Sequence, residues 1–296
     1  MQRIIPGMTS TLFCFGLGYS AQALSDLLQP AGWRVIGTTR SAQKARLLAA
    51  SGVEPLIWPG APVRDALAQA SHVLISTAPG DGGDPVLAAC ATDIAAAAAH
   101  LKWLGYLSTT GVYGDHRGGW VDEHTPLTPT TRRGRLRVLA EAQWQALAHE
   151  HGLPLHIFRL AGIYGPGRGP FSKVRNGTAR RIVKPGQYFS RIHVDDIAQV
   201  LAASIASPRP GAIYNVSDDD PAPPEDVLAE AARLLDLPLP PEIAFEDAEM
   251  TPLARSFYAE SKRVRNDRLK TDLGVTLRYP DYRTGLRALL DASREG

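Results

Sequence analysis

Only two cysteines occur in 296 residues. Cys14 falls in an apolar run that reads as a core strand, and Cys90 falls in a helical stretch. Neither number nor placement suits a disulfide framework, and a reducing cytoplasm is the expected setting. Excess charge of one sign is also missing. The 32 Lys and Arg against 30 Asp and Glu leave a net +2, so charge gives no reason to expect a nucleic-acid partner or a membrane surface. No stretch approaches the roughly 20 apolar residues that a membrane helix needs. Met1–Ser10 lacks the apolar core of a signal peptide, and the run Leu12–Phe15 is too short to supply one. No His, Cys, Asp or Glu cluster has metal-ligand spacing, and no Gly-x-Ser-x-Gly nucleophile motif appears. What remains, with 44% hydrophobic and 21% charged residues, is the composition of a soluble globular chain: one large domain or two interlocked ones.

The chain is organised around Thr11–Arg40. Leu12–Phe15 reads as a buried parallel strand. Gly16, Gly18 and Ala21 then form a G-x-G-x-x-A pattern. Ala21, Ala23, Leu24, Leu27 and Leu28 make a helical apolar stripe that Pro30 and Gly32 end. Trp33–Gly37 reads as a second strand. Strand, glycine turn, helix, strand is half of a dinucleotide-binding unit. Gly16 permits the tight turn, and Gly18 lets a pyrophosphate approach the backbone. Ala21 lets the helix pack close to the sheet, and the helix N-terminus presents free N–H groups to phosphate.

The alternation continues. A helix capped by Ser41 runs to Ala50, a strand covers Val53–Trp58, a helix Val63–Ala70 and a strand His72–Thr77. After the turn Ala78–Gly83, Pro85 opens a helix to about His100. Its Ala95–Ala99 block is small enough for close helix or subunit packing, as in a homodimer. Trp103–Ser108 is a strand, Thr109–Pro129 a loop, Arg132–Glu150 a helix and His156–Leu160 a strand. This predicts an α/β fold, a doubly wound parallel sheet with a smaller C-terminal cap. The dinucleotide domain is expected over 1–160 and the cap mainly over 161–296, with 193–217 returning to the sheet as the helix Val194–Ile205 and the strand Ala212–Val216. Gly162–Arg191 is expected to be a basic, glycine-rich cap segment facing the cofactor mouth. Asp218–Pro224 reads as a solvated turn. Further helices are expected near Pro224–Leu235, Asn266–Leu273 and Tyr282–Ala292.

Taken together, Gly16–Ala21, Ser108–Gly114, Arg159–Gly167, Ile192–Asp196, Tyr214–Ser217 and Ser261–Asn266 resemble the extended short-chain dehydrogenase/reductase superfamily of NAD(P)-dependent epimerases and dehydratases. The resemblance spans nearly the whole chain. It implies a Rossmann domain, a nicotinamide cofactor and a small-molecule substrate. It also implies a cofactor set of Gly16, Gly18, Tyr19, Ser20, Ala21, Thr39, Arg40, Thr77, Ala78, Ser108, Arg137 and Ala161. Counting back from Glu141 puts Arg137 at the family's catalytic lysine and Arg133 at its tyrosine, so the chain looks like an atypical member. The aspartate often found after the third strand is replaced by Trp58-Pro59-Gly60. Thr110 and Gly111 stand where family dehydratases carry Asp-Glu, which weakens a dehydratase reading.

The expected catalytic set is Thr109, Arg133 and Arg137. Thr109 matches the family's serine or threonine. Arg137 can replace lysine as a hydrogen-bond donor. Arg133 is a poor proton carrier because a guanidinium does not release its proton near neutral pH. Tyr113, Asp115, His116 and Tyr164 are the spare proton carriers near the mouth, with Tyr113 expected to pack under the loop. The basic residues Arg168, Lys173, Arg175, Arg180, Arg181, Lys184 and Arg191 read either as a pyrophosphate-facing set or as a solubilising surface. His193-Val194-Asp195-Asp196 reads as structural. The second strand ends in Arg40 without a carboxylate, which favours NADP(H) while leaving NAD(H) usable. The functional expectation is an oxidoreductase or epimerase-like enzyme for a small polar, free or nucleotide-linked substrate. The alternative is a non-catalytic NADP(H) sensor.

Overall fold

The structure is a computed structural model that describes residues 10–295. Apart from Ser10, the lead-in expected over Met1–Ser10 lies outside the described residues. The chain opens with β1 (Thr11–Phe15), α1 (Tyr19–Leu28), β2 (Arg34–Thr39), α2 (Ala42–Ala50), β3 (Glu54–Ile57) and α3 (Arg64–Gln69). It continues with β4 (His72–Ile75), α4 (Pro85–Ala97) and β5 (Trp103–Thr109). A tight turn (Thr110–Tyr113) and β6 (Trp120–Val121) lead to α5 (Arg132–His151) and β7 (Leu155–Leu160). Next come β8 (Gly162–Tyr164), α6 (Phe171–Arg175), β9 (Arg181–Val183), β10 (Arg191–His193), α7 (Val194–Ala206) and β11 (Ile213–Val216). The last elements are α8 (Pro224–Leu234), β12 (Glu242–Ala244), α9 (Pro252–Phe257), β13 (Arg263–Val264), α10 (Asp267–Leu273) and α11 (Tyr282–Glu295).

Seven parallel strands form the central sheet in the order β11-β7-β5-β4-β1-β2-β3. The order reverses between β1 and β4, the switch point at which open α/β sheets bind ligands. Alternation within β1 explains the two apolar layers. Leu12 and Cys14 join Leu24, Val200 and Leu201 on one face. Phe13 and Phe15 join Val86, Ile94 and Trp144 on the other. Each large apolar side chain buried in this way contributes about 1.5–3 kcal/mol.

The helices begin where local chemistry provides caps. Ser41 accepts from Lys44 N–H at the start of α2, and Thr131 accepts from Gly134 N–H at the start of α5. Asp84 accepts from Val86 and Leu87 N–H and also takes Trp144 Nε1–H at 3.1 Å, tying α4 to α5. His193 itself caps α7 by accepting from Asp195 N–H. Asp196 instead accepts from Arg278 and Tyr279 N–H, fastening the C-terminal segment.

Three two-stranded parallel pairs, β8 with β10, β9 with β12 and β6 with β13, stand outside the main sheet. Strands of two or three residues carry no readable period, so the sequence shows only irregular chain there. Phe171, Val174, Ala231, Ala232, Tyr282 and Leu286 form a separate apolar cluster around α6, α8 and α11.

Candidate active site

The glycine turn sits at the carboxyl ends of β1 and β4. Gly16 has φ +80°, and a Cβ there would lie 2.9 Å from Thr77 Cγ2, so the turn needs glycine for both conformation and space. Gly16 N–H donates to Thr38 Oγ1 at 2.7 Å, and Leu17 N–H donates to Thr38 O at 3.0 Å. Gly18 differs: a Cβ there would have nothing within 4 Å. Its bare backbone faces open space at the N-terminus of α1. Ser20 and Ala21 are buried against the sheet. Tyr19 reaches the other side of the crevice, donating to Pro166 O at 2.8 Å beneath the Arg168 guanidinium. Thr77 Oγ1 is a buried hydroxyl without a protein partner. Thr39 and Arg40 end β2, Ala78 follows Thr77, and Ala161 follows β7, its N–H donating to Val216 O. The open face at Gly18 and the orphaned Thr77 hydroxyl fit a dinucleotide laid across the switch point.

The second half of the site lies where β5 meets α5. Thr109 is half-buried and accepts from Gly111 N–H at 3.2 Å, leaving its own hydrogen free to donate. A Cβ at Gly134 would lie 2.7 Å from Gly111 O, so the first turn of α5 presses against this loop. Arg137 Nη1 donates to Leu107 O at 2.7 Å and to Tyr106 Oη at 3.0 Å, fastening α5 to β5. Arg133 is exposed and lies 4.9 Å from the Phe257 ring centroid, in cation–π contact with α9. The i, i+4 spacing of the two arginines therefore gives one cation on the sheet and one toward the cap.

The side chain of Ser108 is already engaged. Its hydroxyl donates to Glu141, so its free contribution toward a cofactor is its backbone. Glu141 also takes the Arg159 fork, with Arg159 Nη2 at 2.8 Å. Arg159 Nη1 donates to Tyr113 Oη at 2.9 Å, and Tyr113 Oη donates to Asn215 Oδ1 at 2.6 Å. Burial pushes the Tyr113 phenol up to about 12, against the opposing pull of Arg159. Tyr113 thus packs under the loop and does not face substrate. Burial likewise raises Tyr164, whose hydroxyl is enclosed. His116 Nε2 meets Tyr113 O at 3.1 Å, and Asp115 Oδ1 accepts from Ser261 and Arg117 N–H. Tyr113 and Tyr164 are therefore sealed, and Asp115 and His116 are each engaged through one atom, Asp115 Oδ1 and His116 Nε2.

Sequence reasoning missed two groups. Lys44 Nζ donates to Leu17 O at 2.7 Å, placing an ammonium on the glycine turn. Glu260–Arg263 clasps the loop after β5. Glu260 Oε1 accepts from Thr130 Oγ1–H at 2.6 Å, and Glu260 Oε2 pairs with Lys262 at 2.8 Å. Lys262 Nζ donates to Gly114 O at 2.7 Å, and Arg263 Nη1 donates to Gly118 O at 2.7 Å. Ser261–Asn266 stood out as a motif, but its long-range partners lie between 47 and 148 positions away, and no spacing rule connects them. Much of the basic cap is spent on the cap itself. Arg180 donates to Gly177 O and Ala179 O, Arg181 pairs with Glu242, Lys184 donates to Tyr258 O, and Arg175 lies over Phe171. Among the described residues, no group of three or more His, Cys, Asp or Glu is placed to hold a metal, and no helix is long and apolar enough to cross a membrane.

The model of the NAD dependent epimerase/dehydratase family matches residues 16–217. Protein YeeZ of Escherichia coli (strain K12) is 30% identical over 279 residues, covering 90% of this chain and 95% of that protein. A 3-diazoavenalumate denitrifying reductase from Streptomyces sp is 29% identical over 162 residues, about half of either chain. A solved structure of a functionally unknown conserved protein from Silicibacter pomeroyi DSS is 62% identical, with TM-score 0.90, covering 96% of this chain and 99% of that one. UDP-glucuronic acid 4-epimerase from Bacillus cereus, solved in complex with NAD, superposes with TM-score 0.76 over 96% of this chain and 99% of its own. Its 15% identity makes that a likeness of fold alone.

Proposed function

This chain belongs to the NAD-dependent epimerase/dehydratase family, and from that premise we propose that it is a nicotinamide-dinucleotide oxidoreductase or epimerase-like enzyme. Its substrate is small and polar, free or nucleotide-linked, and its chemistry runs without the family's tyrosine. The observation that carries the reading is the glycine turn at the switch point, with Gly18 open to a pyrophosphate. The Gly16–Ala21 turn holds the pyrophosphate, Thr39 and Arg40 the adenosine end, and Thr77, Ala78 and Ala161 the floor of the crevice. Arg137 uses one guanidinium nitrogen on Leu107 and Tyr106 and retains others as donors. The bound nicotinamide supplies a hydride donor or acceptor.

Thr109 donates a hydrogen bond to a substrate oxygen. Arg133 stabilises negative charge on that oxygen once it is drawn off Phe257, an electrostatic role that needs no proton from arginine. The proton comes from water, since the Tyr113 phenol is held by Arg159 and Asn215. Arg40 makes no ion pair among the described residues, which supports a preference for NADP(H). A relative named as a reductase supports hydride chemistry. A second reading, a non-catalytic NADP(H) sensor, rests on the locked phenol and on Arg133 lying on Phe257.

Mass spectrometry of the small molecules released from the purified chain tests the reading. A nicotinamide dinucleotide is expected, together with exchange against added NADP⁺. A chain that neither carries nor takes up any dinucleotide contradicts it.

A further inference from the structure

Phe257 on α9 is an exposed ring set against the first turn of α5. It is 47% exposed, and Leu253, one turn earlier on the same helix face, is 60% exposed. No residue of α9 is buried. The neighbouring Tyr258 supplies the cap's own stack, with Phe189 at 5.4 Å and Phe245 at 5.3 Å. Phe257 is left out of that stack and meets the Arg133 guanidinium, 4.9 Å from its ring centroid. Both ends of the segment are fastened. Thr251 caps α9 by accepting from Ala254 N–H, Lys184 donates to Tyr258 O, and Glu260 takes Thr130 Oγ1–H. Phe257 is thus a fixed apolar platform, covered only by a cation assigned to the substrate oxygen.

The cap cations are placed differently. Arg180, Arg181 and Lys184 are bonded within the cap, and Arg175 lies over Phe171. Arg191 Nη1 donates to Phe189 O at 2.8 Å and to Ala222 O at 3.0 Å. Arg168 is held over Tyr19, on the cofactor side. Of the expected pyrophosphate-facing set, Lys173 remains without a side-chain partner or ring contact among the described residues. One lysine is a poor match for the two phosphates of a nucleotide-linked substrate.

We propose that the substrate is a free planar aromatic carbonyl compound without a nucleotide diphosphate, and that Phe257 is its specificity-determining residue. This inference rests on the oxidoreductase reading of the crevice. The substrate ring takes the face of Phe257 that Arg133 covers, in offset or edge contact. The guanidinium so released turns to the carbonyl oxygen beside Thr109. Its contact with an exposed ring is weak, so the exchange costs little and the bond to the oxygen is a net gain. A saturated ligand of the same size buries a similar area but lacks the ring contact, and it releases Arg133 less readily. A purely structural role for Phe257 would influence aromatic and saturated ligands alike.

Calorimetry on the full chain saturated with NADP⁺ separates these roles, using 2-naphthoate, decahydro-2-naphthoate and UDP. The carboxylate stands in for the carbonyl oxygen, and no hydride moves between NADP⁺ and these ligands, so binding is read alone. The parent is expected to bind 2-naphthoate about three- to tenfold more tightly than its saturated counterpart, and to bind UDP more weakly than either. Phe257→Ala should remove the aromatic margin while NADP⁺ affinity stays within about twofold, and Phe257→Tyr should keep it. Urea unfolding of each variant checks that the fold is kept. Equal binding of the two carboxylates, binding of neither, or a margin that survives Phe257→Ala overturns the substrate class and leaves the dinucleotide reading standing. UDP binding more tightly than 2-naphthoate does the same. A parent that takes up no dinucleotide overturns both.

Discussion

Glu141 on α5 and Arg159 on β7 meet in a two-pronged ion pair, 2.8 Å at its closest, with both side chains almost wholly buried. The pair holds Ser108, next to Thr109 at the end of β5. Ser108 hangs on one end, and Tyr113 and Asn215 on the other. It joins β5, α5, β7 and β11, so the position of the site depends on it.

Removing one partner leaves the other charge buried and alone. Arg159→Met or Glu141→Leu is expected to cost about 3–5 kcal/mol in urea unfolding. The double variant should be less damaged than the sum of the two, because neither charge is then stranded. Additive losses would show that the pair is not a unit.

Gly18→Val tests the crevice. The position has ordinary negative φ and open space for a side chain, so the fold should be kept. The valine would stand where a pyrophosphate approaches, and dinucleotide binding should vanish in calorimetry. Normal binding by the folded variant would remove the glycine turn from the account.

Arg40→Ala should cut NADP⁺ affinity by about tenfold, the value of one charge-assisted contact at an exposed site, with NAD⁺ affinity nearly unchanged. Equal affinity of the parent for the two dinucleotides would count against this preference.

Two buried histidines set an acid limit. His156 donates from Nδ1 to Pro154 O and accepts from Arg209 N–H on Nε2, an arrangement that requires the neutral ring. Burial lowers His156 and His72 to about 4. The unfolded chain therefore binds more protons between about 4 and 6.5, and stability rises with pH across that window. It should be fully present above about pH 6.5 and fall by up to about 1.4 kcal/mol per pH unit per histidine on acidification. Urea midpoints measured from pH 4 to 7 should show this slope, and His156→Phe should flatten it. An unchanged slope would show that His156 is not responsible.

How much of this was legible depends on the length scale of the signal. β1, β4 and β5 are short apolar runs buried on both faces, and they read directly from sequence. The glycine turn reads because Gly16 and Gly18 serve different needs at fixed spacing. Tyr113 packs under its loop as its surroundings suggest. The strand pairs β8–β10, β9–β12 and β6–β13 are too short to show periodicity. The engagement of Ser108 was not readable either, since it depends on Glu141 reaching β5 from a helix that begins 24 positions later. Lys44 looks like an ordinary surface lysine until the packing of α2 brings its ammonium to Leu17. Glu260 and Lys262 reach Thr130 and Gly114 only through tertiary folding.

We propose hydride chemistry at Thr109 and Arg133 without a tyrosine acid. It is tested most directly by following NADPH fluorescence while the full chain meets a panel of small carbonyl compounds and sugar nucleotides, with products checked for epimerisation. Turnover is expected on at least one member. Thr109→Val and Arg133→Ala should each lower it by about a hundred- to a thousandfold with cofactor affinity nearly constant. No rate limb should track a tyrosine, because a guanidinium keeps its charge throughout the accessible pH range. Tight NADPH binding with no oxidation and no epimerised product across the panel would contradict the claim and leave the sensor reading in its place.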